Sequence, residues 1–175
     1  NMPLHMVTPL MRSRAKAVNF GIVYGIGPFS LAKDIGVTRA EADSYIKNYL
    51  ASYSGVADYM ENTIKQAKLD GFVTTLFGRR RYIPEISSSN FMTRSFGERV
   101  AMNAPIQGTA ADIIKIAMIR VHKALKDEGL DAKLILQVHD ELIVECDEKD
   151  ADKVCELLSE EMQNAANLKV KLTAD

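Results

Sequence analysis

A chain of 175 residues, 47% hydrophobic and 26% charged with a formal net charge of −1, has the make-up of one soluble globular domain or two small ones. It carries no apolar run near the roughly 18–20 residues of a membrane-spanning helix and no basic-then-apolar leader, so neither a helical membrane protein nor a secreted one is indicated. Its two cysteines, Cys146 and Cys155, lack metal-ligand or disulfide-framework spacing, and a reducing cytoplasm is the expected compartment.

Asn1 ahead of Met2 reads as a residue added in expression. Thr8-Pro9 then reads as an N-cap followed by proline at the first helical position, and Gly25 as the stop. A short helix from Pro28 to Ile35 ends at Gly36. Thr38 and Glu41 form a capping-box pattern that opens a helix with Ala42, Tyr45, Ile46 and Tyr49 at apolar spacing. A further helix, from about Ser54 to Leu69, carries Val56, Tyr59, Met60 and Ile64 and closes at Gly71. The tyrosines of this region, apart from Tyr24, are expected to serve packing.

FVTTLFGRRRYIP predicts a β-hairpin around Gly78. Its Arg79-Arg80-Arg81 run is either a solvated turn or a contact for a phosphate backbone. The polar loop SSSN, 87–90, is placed to cap a helix from Phe91 to Ala104, which Pro105 is expected to terminate. Another helix runs from Thr109 to about Glu128, with Ile113, Ile114, Ala117, Met118, Val121 and Leu125 on its buried face. LILQVHDELIVEC reads as strand–turn–strand with His139, Asp140 and Glu141 at its tip. A helix from Lys149 to Ala165 and a strand, VKLTA, complete a mostly helical α+β chain.

Charge divides the chain. Residues 1–100 hold 13 Lys/Arg against 8 Asp/Glu, a net +5, while residues 101–175 hold 9 against 15, a net −6. Either the two halves do different work, anion binding in one and metal binding in the other, or their solvated faces merely differ.

Three constellations could carry chemistry. In RSRAKAVNFGIVYG, Arg12, Lys16, Phe20 and Tyr24 recur every four residues, a flank about 120° wide. Cations at the N-terminal end and aromatics at the other suit a nucleoside triphosphate; alternatively the cations are solvated and the rings belong to the core. In QVHDE, Asp140 with Glu141 beside it offers carboxylate oxygens of the kind Mg²⁺ prefers, or the pair is structural. In ERVAMNAPIQGTAAD, Arg99, Asn103 and Gln107 can donate to minor-groove acceptors, which check duplex shape without reading sequence, or can serve as ordinary caps.

Taken in this order, RSRAKAVNFGIVYG, GRRRYIP, NAPIQGTAADI and QVHDE resemble the DNA polymerase I family, the A family of DNA polymerases. The resemblance implies helical fingers over 1–98, with the nucleotide-binding helix at 9–24, and part of a palm with a short antiparallel sheet over 99–175. It implies that Arg12 and Lys16 bind the incoming triphosphate, that Phe20 packs on its sugar and base, and that Tyr24 stacks near the templating base. It further implies that Arg99, Asn103, Gln107 and His139 meet primer–template DNA. Asp140, Glu141 and Lys16 become the catalytic group, with Asp140 a ligand of two Mg²⁺ ions.

That family carries a second metal-binding aspartate, in an Asp-Tyr-Ser motif upstream of the fingers, and this sequence contains none. The chain is therefore expected to be inactive alone, and an unpaired edge of the palm sheet is expected to favour self-association. Two other classes compete. A non-catalytic nucleic-acid-binding module would need neither nucleotide nor Mg²⁺. A metal phosphohydrolase built on His139-Asp140 would need more ligand histidines than His5 and His122 provide.

Overall fold

The computed structural model describes residues 3–174; Asn1, with its reading as an added residue, lies outside them, as do Met2 and Asp175. The fold is α+β and mostly helical, with two separate two-stranded antiparallel sheets. The chain forms two compact units, Asn1–Ile106 and Gln107–Asp175.

In the first unit, α1 (Pro9–Val23) starts where local chemistry dictates. The Thr8 hydroxyl accepts from the Met11 N–H at 3.2 Å, and Pro9 occupies the first helical turn. Helix α2 (Pro28–Ile35) stops at Gly36. Helix α3 (Arg39–Ser52) opens on a complete capping box: the Thr38 N–H donates to the Glu41 carboxylate at 2.8 Å, and the Glu41 N–H to the Thr38 hydroxyl at 3.3 Å. The Thr38 hydroxyl and N–H together hold the Glu41 carboxyl below its ordinary pKa. Helix α4 (Ser54–Asp70) ends at Gly71.

Leu31, Ile35 and Ala42 make a small core against which Ala17, Val18, Ile26 and Ile46 pack, so α1 is seated on α2 and α3. A second cluster joins Ala67, Val73, Ile83, Ile86 and Ala101. Within it the backbones meet closely: a Cβ on Gly97 would lie 2.8 Å from the Ile86 nitrogen. Strands β1 (Phe72–Thr74) and β2 (Arg80–Tyr82) form the expected hairpin. The Arg80 guanidinium lies 4.7 Å from the Phe72 ring centroid, and Phe72 packs on Tyr82 across the strands.

Two expectations fail here. The tyrosines are not all packing residues, since Tyr45 is exposed, whereas Tyr49 is half-buried with its ring against Tyr53. Pro105 does not end a helix: α5 runs unbroken over Phe91–Asp127 with Pro105 inside it. A proline removes one helical hydrogen bond and crowds the preceding turn. The helix continues through it even so, with buried residues on both sides, Ala101 and Met102 before and Ala117, Val121 and Leu125 after. The Asn90 side chain caps its start, accepting from the Met92 and Thr93 N–H groups at 2.9 and 3.1 Å.

The second unit packs β3 (Ala132–Val138), β4 (Glu141–Cys146) and α6 (Ala151–Gln163) with the later turns of α5. Its core is Ala117, Val121, Leu125, Leu142, Val154 and Ala165. The strands pair from Ala132↔Cys146 to Val138↔Glu141, with an irregularity between Leu134 and Leu136. VKLTA is not a strand. Among the described residues β3 and β4 pair only with each other, and the final segment is tied to α6 instead. The Ser159 hydroxyl and the Gln163 amide both donate to the Ala174 carbonyl, at 2.9 and 3.3 Å. Among the described residues no helix is long and apolar enough to cross a membrane.

Candidate functional site

Helix α1 presents the four-residue series to solvent. Ala17, Val18 and Ile22 face the protein, whereas Arg12 and Lys16 are exposed, Phe20 is 49% exposed and Tyr24 is 46% exposed. The alternative that Phe20 and Tyr24 belong to the core therefore fails. The Lys16 ammonium lies 5.6 Å from the Phe20 centroid, so cation and ring already adjoin on one flank. A cationic N-terminal half, at the positive end of the helix dipole, leads into an open aromatic surface. That surface can receive a phosphate-bearing ligand with a planar ring.

Tyr24 caps the helix, and Gly25 follows in the left-handed region with φ of 70°. The turn is closed by the Ile26 N–H, which donates to the Gly21 carbonyl at 2.8 Å. It abuts α5: a Cβ built on Gly25 would lie 2.5 Å from Met102 Cε and 3.1 Å from Arg99 Cγ. The first unit thus brings the end of the α1 flank against the stem of Arg99, whose guanidinium donates to the Ser95 hydroxyl at 3.0 Å. Asn103, one turn further along α5, is partly exposed. Nothing in the sequence flags Met102 or Ser95, because these contacts depend on which face of α5 meets the turn.

Gln107, His139, Asp140 and Glu141 belong to the second unit. Gln107 is exposed on α5. His139 and Asp140 are the two residues linking the paired Val138 and Glu141. His139 adopts φ of 54°, the one left-handed non-glycine among the described residues. The Gln137 amide donates to the His139 carbonyl at 2.6 Å and braces the turn. Asp140 and Glu141 are exposed at the tip and help line a groove of about 670 Å³ that Ile113, Leu142, Ile143 and Leu172 also line. Exposed carboxylates on a hairpin turn fit a hard cation with oxygen preference. Among the described residues no group of three His, Cys, Asp or Glu is placed to hold a metal together.

The model of DNA polymerase family A matches residues 1–175. The chain is 54% identical over 169 residues to DNA polymerase I of Bacillus caldotenax, covering 97% of this chain and 19% of that protein. It is 53% identical over 174 residues to DNA polymerase I of Pseudomonas aeruginosa, covering 99% of this chain and again 19% of the relative. Among solved structures, the POL domain of Pol1 from M. smegmatis in complex with DNA primer-template and dNTP matches with a TM-score of 0.93 at 45% identity. That match covers 98% of this chain and 30% of the other. The chain spans about a fifth of the length of the curated relatives it matches.

Proposed function

The chain belongs to DNA polymerase family A, and from that premise we propose that it supplies the fingers, residues 1–98, and part of the palm, residues 99–175, of a DNA-directed DNA polymerase. That enzyme adds deoxynucleotides to a primer 3′-hydroxyl in DNA replication and repair, in the cytoplasm. Primer–template DNA and deoxynucleoside triphosphates are its partners, as in the M. smegmatis complex.

One observation supports this reading above the others: the flank of α1 is exposed, cationic first and aromatic after, with Lys16 beside Phe20. Arg12 and Lys16 draw in the triphosphate and neutralise charge on it, and Lys16 also counters the charge that builds on the departing phosphates. Phe20 packs on the sugar and base, and Tyr24 stands at the templating base. Arg99, Asn103 and Gln107 donate to minor-groove acceptors, and His139 lies at the primer terminus.

Members of the family use divalent metal. Asp140 would hold Mg²⁺, with Glu141 in support; bound there, the metal would acidify the attacking hydroxyl and offset phosphate charge. Self-association through the β3–β4 edge is not supported.

The test is Lys16→Ala in the full-length polymerase that contains this chain. The expected result is a nucleotide KM raised about tenfold or more, as the loss of a charge-assisted contact implies, with primer–template Kd unchanged. An unchanged nucleotide KM would overturn the reading.

A further inference from the structure

Helix α1 has to hold its functional flank at a fixed roll while resting on small and apolar side chains. Its first eight residues are exposed, and its seat begins only at Ala17 and Val18, which pack on the cluster of Leu31, Ile35 and Ala42. Apolar contact is non-directional, so such a seat sets the depth of a helix better than its rotation. A directional bond at the border of the buried face would set the rotation.

The structure contains one. The Tyr49 hydroxyl, from α3, donates to Asn19 Oδ1 at 2.6 Å. Asn19 comes three residues after Lys16 and immediately before Phe20. Seven residues after Arg12, it points within about 20° of the same direction around the helix. On the other side its neighbour is Ile22, the buried residue of α1. The bond therefore grips α1 where the buried face meets the flank. Tyr49 is itself held: it is half-buried, and its ring lies 4.9 Å from that of Tyr53.

We propose that Tyr49 is a positioning residue for nucleotide binding, fixing the roll of α1 through Asn19 and so aiming Arg12, Lys16 and Phe20. The inference rests on the proposed nucleotide role of α1. It predicts an effect carried by helix orientation, since Tyr49 need not touch the nucleotide.

The test uses single-nucleotide incorporation by the full-length polymerase. Tyr49→Phe removes only the hydroxyl, and the expected result is a nucleotide KM raised about three- to tenfold, the range of one directional hydrogen bond. The kcat should stay within about twofold, with primer–template Kd and Tm unchanged. Asn19→Ala should do the same, and the double variant should be no worse than either single one, because both remove one bond. Tyr53→Phe, at an exposed neighbour, should change nothing. If Lys16→Ala raises KM while Tyr49→Phe leaves it unchanged, the positioning role is wrong and the nucleotide role stands. If Lys16→Ala is itself without effect, the underlying reading falls and this inference with it. A Tyr49→Phe effect confined to Tm, or additive with Asn19→Ala, also overturns the proposal.

Discussion

Gly25 leaves the space that the Met102 methyl group fills: a Cβ at position 25 would come within 2.5 Å of Met102 Cε. The same glycine has φ of 70°, which side chains disfavour. Gly25→Ala therefore meets backbone strain first, and beside it the Met102 methyl, the free end of a flexible side chain that can shift. The expected cost is about 1–2 kcal/mol, most of it the φ strain, with a smaller part for moving the Met102 methyl. Urea unfolding at equilibrium measures it. Adding Met102→Ala should recover the packing part and leave the strain, so the double variant should be more stable than independent effects would allow. Strict additivity would show that the contact does not govern the turn.

His139 offers the opposite case, a residue whose backbone would be easier for glycine. Its φ of 54° is costly for a side chain by about 1 kcal/mol or somewhat more. His139→Gly relieves that but adds freedom to the unfolded chain, so stability should be unchanged or higher by up to about 1 kcal/mol. His139→Val, β-branched, should lose about 1–2 kcal/mol. In the full-length polymerase His139→Gly should nevertheless weaken primer–template binding several-fold if the imidazole sits at the primer terminus. Undiminished binding alongside a gain in stability would remove that role.

What could be read from the sequence was what neighbours along the chain decide. The Thr8 and Thr38 caps and the glycine stops at 36 and 71 depend on residues within one turn, and they stand where the spacing puts them. The series Arg12, Lys16, Phe20 and Tyr24 was equally legible, but which way that flank faces was not, because a helix pattern with aromatics fits core and cleft alike. Pro105 misled because a proline inside a helix costs one bond and some crowding without obliging the helix to stop, and α5 continues through it. VKLTA misled because a strand needs a partner, and β propensity says nothing of whether one is beside it. The bond proposed to aim α1, Tyr49 to Asn19, and the bond from Arg99 to Ser95 were invisible for a third reason. The first joins residues 30 apart in sequence, and the second pairs residue types that meet on countless helices without consequence.

Asp140 is where the catalytic reading is most exposed to disproof. It stands at the tip of a two-residue turn, exposed, on the rim of the 670 Å³ groove, with Glu141 as the nearest carboxylate along the chain. Asp140→Asn keeps the size and hydrogen-bonding atoms but removes the charge that would hold a divalent cation. In the full-length polymerase kcat should fall by about 10³-fold or more, the scale of losing a principal charge-stabilising element, while nucleotide and DNA affinities move little. Raising Mg²⁺ should not restore the rate. Glu141→Gln should cost far less, since its role is support. A kcat within about tenfold of the parent after Asp140→Asn would take the metal out of this hairpin. The same chemistry governs the chain made alone. A two-metal transfer needs more donors than the adjacent pair Asp140 and Glu141 supplies. Template-dependent primer extension by residues 1–175 should therefore be absent at any Mg²⁺ concentration, and measurable extension would mean that this chain completes a metal site by itself.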